Sequence, residues 1–188
     1  MKHSYLKGNI LCALPQLNDG FFSKSIIYLT HHNKDGAVGI VLNYKVMSIK
    51  GADLFRKLNI KSAEYNLDMD FPFHIGGPLN QNNGFILHSN DYNTRNTLNV
   101  SKKVKLTCST EIINDIANNK GPKSFFISLG YSGWGPGQLE QELKDNSWIN
   151  ISEELDLVFN TNSEQKWRKA IKKTGIDFTK FSTYSGNA

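Results

Sequence analysis

Cysteine, arginine and long apolar runs are all scarce in this 188-residue chain, and each shortage closes off a class of protein. Its two cysteines, Cys12 and Cys108, lie far apart in the sequence and neither belongs to a C-x-x-C pair, so no cysteine-based metal knot or dithiol redox motif is written here. Reduced, buried thiols are the expected state. A reactive thiol at Cys12 or Cys108 is the alternative: Cys108 precedes a helix that Ser109 or Thr110 is expected to cap, and that dipole would favour a thiolate, whereas Leu11 and Ala13 would hold Cys12 protonated. No apolar run approaches the roughly 18 residues needed to cross a bilayer. The short run Ile10 to Leu14 behind an N-terminal basic stretch is too brief for a signal peptide, which makes the cytoplasm the expected location. With no Pro/Ser-rich linker or break in composition, residues 1–188 are expected to form a single unit.

Arginine is limited to Arg56, Arg95 and Arg168, although the formal net charge is +5. Residues 163–180 hold six basic side chains against Glu164 and Asp177 and so supply +4 of that charge. The excess is a feature of the C-terminal segment and is rich in lysine, while base readout favours the bidentate fork of arginine. Nucleic-acid association through a basic C-terminal helix is therefore a minor alternative, and its mark would be steep salt dependence.

The residues that are present outline a mixed chain. Gly8 to Leu14 reads as a strand, and Ser25–His31 with Ala37–Leu42 as a hairpin around an Asp-Gly bend. Gly39 within that hairpin implies a bulge or close packing. Ala52–Leu58 has helical spacing, and a polar loop over residues 59–70 follows. Strands are expected at Phe71–Ile75 and Phe85–His88, with a turn at Asn82-Asn83-Gly84 in the connection between them, and at Leu98–Val100, Val104–Thr107 and Phe125–Leu129, with Trp148–Ile151 extended. Helices are expected at Thr110–Asn118, over residues 137–145, and after a cap at Asn162 or Ser163, where Trp167, Ala170, Ile171 and Thr174 form the apolar face and Gly175 the stop. The lysines of this last helix are expected to face water. An antiparallel start followed by mixed elements favours α+β.

The strand Phe125–Leu129 is expected to end in a glycine-rich turn, Gly130–Gly137, which invites three chemical readings and fails each. Gly130-Tyr131-Ser132-Gly133-Trp134 lacks the final glycine of a nucleophile elbow, and every histidine precedes Ser132. Pro136-Gly137 stands where a Walker loop needs Lys-Ser/Thr, and Gln138 breaks the dinucleotide fingerprint. Glu140 and Glu142 would repel a phosphate at the following helix. His31 and His32 are adjacent and point to opposite faces of a strand, so no metal site is expected. No cofactor loop is present either. The better candidate is a binding edge of Gly76, Gly77, Pro78 and His88, joined by Gly133, Trp134 and Gln138, because bare backbone lets a partner approach closely.

Taken together, GNILCALPQL, SIIYLTHH with GAVGIVLN, GGPL with GFILH, and LGYSGWGPGQLEQEL with SW resemble the AlgH/YqgE family of bacterial proteins, over roughly Gly8 to Phe181. Tyr44-Lys45 departs from the basic-proline pair common in the family, and Ser132 stands where alanine is frequent. The resemblance implies an α+β fold in which a bifurcated sheet curls into a pseudo-barrel with flanking helices. It implies little about activity: the family's regulatory name points to transcriptional control, but no helix-turn-helix is legible here. The expectation is a non-enzymatic binding or regulatory protein whose partner is a protein or a small ligand, with the reactive-cysteine enzyme or redox sensor as the rival.

Overall fold

A computed structural model describes residues 5–17, 20–60 and 66–175. The elements run β1 Ile10–Ala13, β2 Ile26–Asn33, β3 Gly36–Val41, β4 Lys45–Lys50, α1 Gly51–Lys57, β5 Asp70–Ile75, β6 Leu79–Ser89, β7 Thr97–Asn99, β8 Val104–Thr107, α2 Glu111–Ala117, β9 Phe125–Trp134, α3 Gln138–Lys144, β10 Trp148–Ile151 and α4 Ser163–Lys173. A 3-10 turn at Gly20–Phe22 and a π turn at Asp156–Asn160 complete them.

The strands form one sheet in the order β10-β1-β2-β3-β9-β6-β8-β7, with β4 and β5 branching from it. β9 is the fork. One flank runs antiparallel along β6; the other pairs first with β5, in parallel through Phe73↔Ile127 to Ile75↔Leu129, and then with β3 through Ser132, Gly133 and Trp134. The sheet thus bifurcates and curls with helices against it, as the α+β pseudo-barrel expectation has it.

Both faces of the central strands are covered. Ile10 and Cys12 of β1 pack into a core closed by Leu157, Ala170 and Ile171, whereas Leu11 and Ala13 pack with Trp134, Leu139 and Trp148 on the opposite side. Two-sided burial removes the polar/apolar alternation of a half-exposed strand, which explains why β1 alternates only weakly in sequence. A third core joins α1 and α2 to the sheet through Leu54, Phe55, Phe71, Ile112, Ile113 and Ile116.

The β2–β3 hairpin forms as expected, with Asn33 opposite Gly36 and the Asn33 side chain accepting from Asp35 N. Gly39 packs closely: a Cβ there would lie 2.4 Å from Ile27 Cγ2. Other expectations need correction. Residues 130–134 continue β9 instead of turning, because β3 and β6 supply partners on both flanks. β6 begins at Leu79 and passes through Asn82-Asn83-Gly84 with a register shift where a turn was expected. Neither Ser109 nor Thr110 caps α2 with a side-chain bond; Thr110 holds the cap position in helical conformation. Asn162 does cap α4, accepting from Glu164 N at 3.1 Å. β4 and the π turn were not foreseen, and residues 61–65 of the expected loop and 176–180 of the basic segment lie outside the described residues.

Candidate functional site

The glycine pair of the expected binding edge sits inside the fork of the sheet. Gly76 N donates to Leu129 O at 2.8 Å, while Gly76 O accepts from Val41 N at 2.9 Å and from Ser132 Oγ at 3.2 Å. A Cβ on Gly77 would stand 2.0 Å from the Tyr131 carbonyl carbon, and one on Gly76 would stand 2.4 Å from Gly130 O. These glycines admit their own chain's backbone. Pro78 follows them on an exposed bend, and Gly133 lies beside Leu79, its absent side chain leaving room for that leucine.

His88 is fully buried, contrary to a role at an accessible edge. Its Nδ1 lies 2.9 Å from Ser89 O and its Nε2 3.0 Å from Thr107 Oγ1, and burial lowers its pKa. Trp134 is also buried, its indole N–H donating to Glu142 Oε2 at 2.8 Å beside that of Trp148 at 2.7 Å. Gln138 accepts from Gly135 N and donates to Glu142 Oε1, so it braces the turn into α3. Glu142 therefore acts as an internal acceptor for two tryptophans.

The thiols divide. Cys12 is buried and its pKa is pushed up to about 12 by burial; Cys108 is exposed at the start of α2, yet its surroundings also raise its pKa. Both shifts oppose an activated thiolate. Among the described residues no group of three or more His, Cys, Asp or Glu could hold a metal ion, and His31 is exposed while His32 is buried. In α4, Lys169 pairs with Asp156 and Lys173 with Glu154, which neutralises part of the basic face.

The chemistry concentrates elsewhere, in a cavity of about 530 Å³ between β5, the N-terminal half of β9, the π turn and the start of α4. Parallel pairing of β5 with β9 brings His74 beside Phe126, the two rings stacked at 4.0 Å. His74 Nδ1 lies 3.1 Å from Ile127 O and Nε2 3.1 Å from Ser163 Oγ. A carbonyl only accepts, so Nδ1 carries the proton, and Nε2 accepts from the Ser163 hydroxyl. Burial is the main cause that lowers the His74 pKa to about 4, with Lys166 and Lys45 adding to it against the opposing Ile127 bond.

Lys166 closes the inner wall. Only 2% of its surface is exposed, and its ammonium donates to Val158 O at 2.8 Å above the Phe126 ring. Burial pulls its pKa down to about 7, opposed by the more distant Asp156. Lys45 and Lys123 line the exposed side. Among the described residues, none of these three lysines takes part in an ion pair, whereas the carboxylate lining the cavity, Asp70, is paired with Lys50 at 3.1 Å. The site is thus cationic and lies at the N-terminal end of α4, where the helix dipole also favours negative charge.

The Ser163–His74 contact has the connectivity of a nucleophilic dyad, but its electrostatics run the other way. Taking the serine proton would create an imidazolium in a buried position next to Lys45 and Lys166, and a base with a pKa near 4 is far from the operating pH. The arrangement is better built to hold an anion than to drive acyl transfer. Sequence reading missed both inner residues: Lys166 sat within a run of charges assigned to water, although its i, i+4 spacing to Ala170 places it on the buried face.

Comparison with known proteins agrees with the architecture. Residues 10–179 match the AlgH-like family. A UPF0301 protein of Shewanella loihica is 36% identical over 183 residues, covering 97% of this chain and 98% of the relative. One from Cereibacter sphaeroides is 38% identical over 184 residues, with coverages of 97% and 99%. The solution structure of the AlgH protein from Pseudomonas aeruginosa superposes with a TM-score of 0.76 at 30% identity and full coverage of both chains. A Corynebacterium diphtheriae protein shares the fold at a TM-score of 0.73 and 17% identity, with 98% of this chain and 95% of that one covered. The chain belongs to the AlgH-like family.

Proposed function

We propose that this protein is a cytoplasmic, non-enzymatic binding protein, a single unit over residues 1–188, whose ligand is a small organic anion held in the cavity beside α4. The observation that carries the reading is Lys166: an almost fully buried amine on the wall of a cavity, outside any ion pair of the described residues, with Lys45 and Lys123 across from it. An isolated buried ammonium is costly, and a carboxylate or phosphate entering the cavity would offset that cost with charge-assisted hydrogen bonds. Phe125, Phe159 and Pro72 provide apolar surface for the ligand's organic part.

Benzoate and phenyl phosphate are suitable probes. Binding stabilises the folded state by RT ln(1 + [L]/Kd), about 2.7 kcal/mol at a hundred times Kd, and thermal unfolding reads this directly. One of the two probes should raise the melting temperature saturably in the parent protein. The effect should weaken about tenfold in the exposed double variant Lys45→Gln/Lys123→Gln and vanish in Lys166→Met. A melting temperature indifferent to both probes up to millimolar concentration would overturn the reading.

A further inference from the structure

A second cavity, of about 260 Å³, opens between α1, α2 and the strands β5, β6 and β9. Its character is opposite to that of the cationic site. Leu54, Phe73, Ile86, Ile113, Ile127 and Leu129 supply apolar walls, and none of the lining residues is charged. Asn82 and Thr110 add neutral polar groups, and one polar atom is left unsatisfied: Ser109 Oγ is buried and has no hydrogen-bond partner, the single such side-chain atom found among the described residues. Buried hydroxyls are nearly always satisfied, so an orphan facing a cavity calls for a partner that enters from outside. Cys108, next in the chain and exposed, stands on the same lining, and Gly84 leaves open space around the position its Cβ would occupy.

We infer that this cavity is a second binding site, for a small neutral molecule with an apolar body and one hydrogen-bonding group that pairs with the Ser109 hydroxyl. Neutrality follows from the lining, because an ion would be desolvated here without a counter-charge. Size follows from the volume: a cavity of about 150 Å³ accepts benzene, so this one takes a monosubstituted ring or a short chain of similar bulk. The site is independent of the anion cavity, shares with it only the lining residue Ile127, and does not rest on the function proposed above.

Cys108 serves as the reporter. Its alkylation by iodoacetamide is followed in the full-length protein with benzyl alcohol or toluene present, in the parent, Ser109→Ala and Gly84→Leu forms. Benzyl alcohol should slow alkylation saturably and bind about fivefold more tightly than toluene, the worth of one neutral hydrogen bond. Ser109→Ala should erase that preference while leaving toluene binding intact. Gly84→Leu, which fills open space, should abolish protection by both at an unchanged melting temperature. An alkylation rate insensitive to both compounds overturns the inference, as does protection that persists in Gly84→Leu. A preference for the alcohol that survives in Ser109→Ala would show that the hydroxyl is merely hydrated, and would overturn the assigned role.

Discussion

Burial works against the charged form of both His74 and Lys166. His74 has a folded pKa near 4, below its ordinary 6.5, so between those values the unfolded chain binds more protons than the folded one. Its contribution to stability is complete above pH 6.5 and is lost as pH falls through 4, about 3 kcal/mol in all. Chemical denaturation of the parent and of His74→Gln, compared from pH 7 down to 5, should show a steeper loss in the parent. Parallel curves would place the histidine in a wetter environment than the stacked geometry allows. At this scale the sequence was a poor guide. Trp134 and Gln138 looked like surface anchors, but their polar atoms converge with that of Trp148 on Glu142, or on the turn before α3, and that convergence depends on strands distant in the chain.

Among the elements, the fork of β9 is the most demanding feature. The Gly76-Gly77 pair is legible in sequence as backbone that something must approach closely, and the structure supplies that neighbour from within, as Tyr131 and Ser132. Gly77→Ala should therefore cost about 3 kcal/mol or more, or prevent folding, because the added methyl meets backbone that cannot move aside. Gly84→Ala, with nothing within 4 Å of the added Cβ, should change stability by less than about 1 kcal/mol. Equal costs in urea denaturation would contradict the fork geometry. The elements that could be read in advance, the β2–β3 hairpin, α4 with its Asn162 cap and the buried run of β9, carry local turn, cap or periodicity signals. β4 was missed because KVMSIK has no buried face to impose alternation; every residue of it is exposed or half-exposed. The end of β9 was misread because its glycines look like a turn until two flanking strands claim their hydrogen bonds.

Across the whole molecule the sheet borders two cavities of unlike chemistry, one lined by lysines and one uncharged. No helix of the described residues is long and apolar enough to cross a membrane. The fold class was recoverable from motifs spread along the chain, whereas the cationic cavity was not, because it is assembled from segments 89 residues apart in sequence, at His74 and Ser163. In the function proposed above, that cavity couples an anion to a proton. With burial holding its pKa near 7, Lys166 is partly neutral at physiological pH, and an anion beside it must raise that value. Affinity is then full below pH 7 and weakens as pH rises above it, by at most about tenfold per unit for a single linked proton. The most direct measurement is the NMR titration of the Lys166 side chain, with and without saturating phenyl phosphate or benzoate, assigned through Lys166→Met. A midpoint near 7 that rises by a unit or more with either probe is the predicted result. A midpoint at the ordinary lysine value, or one that neither probe moves, would contradict the account.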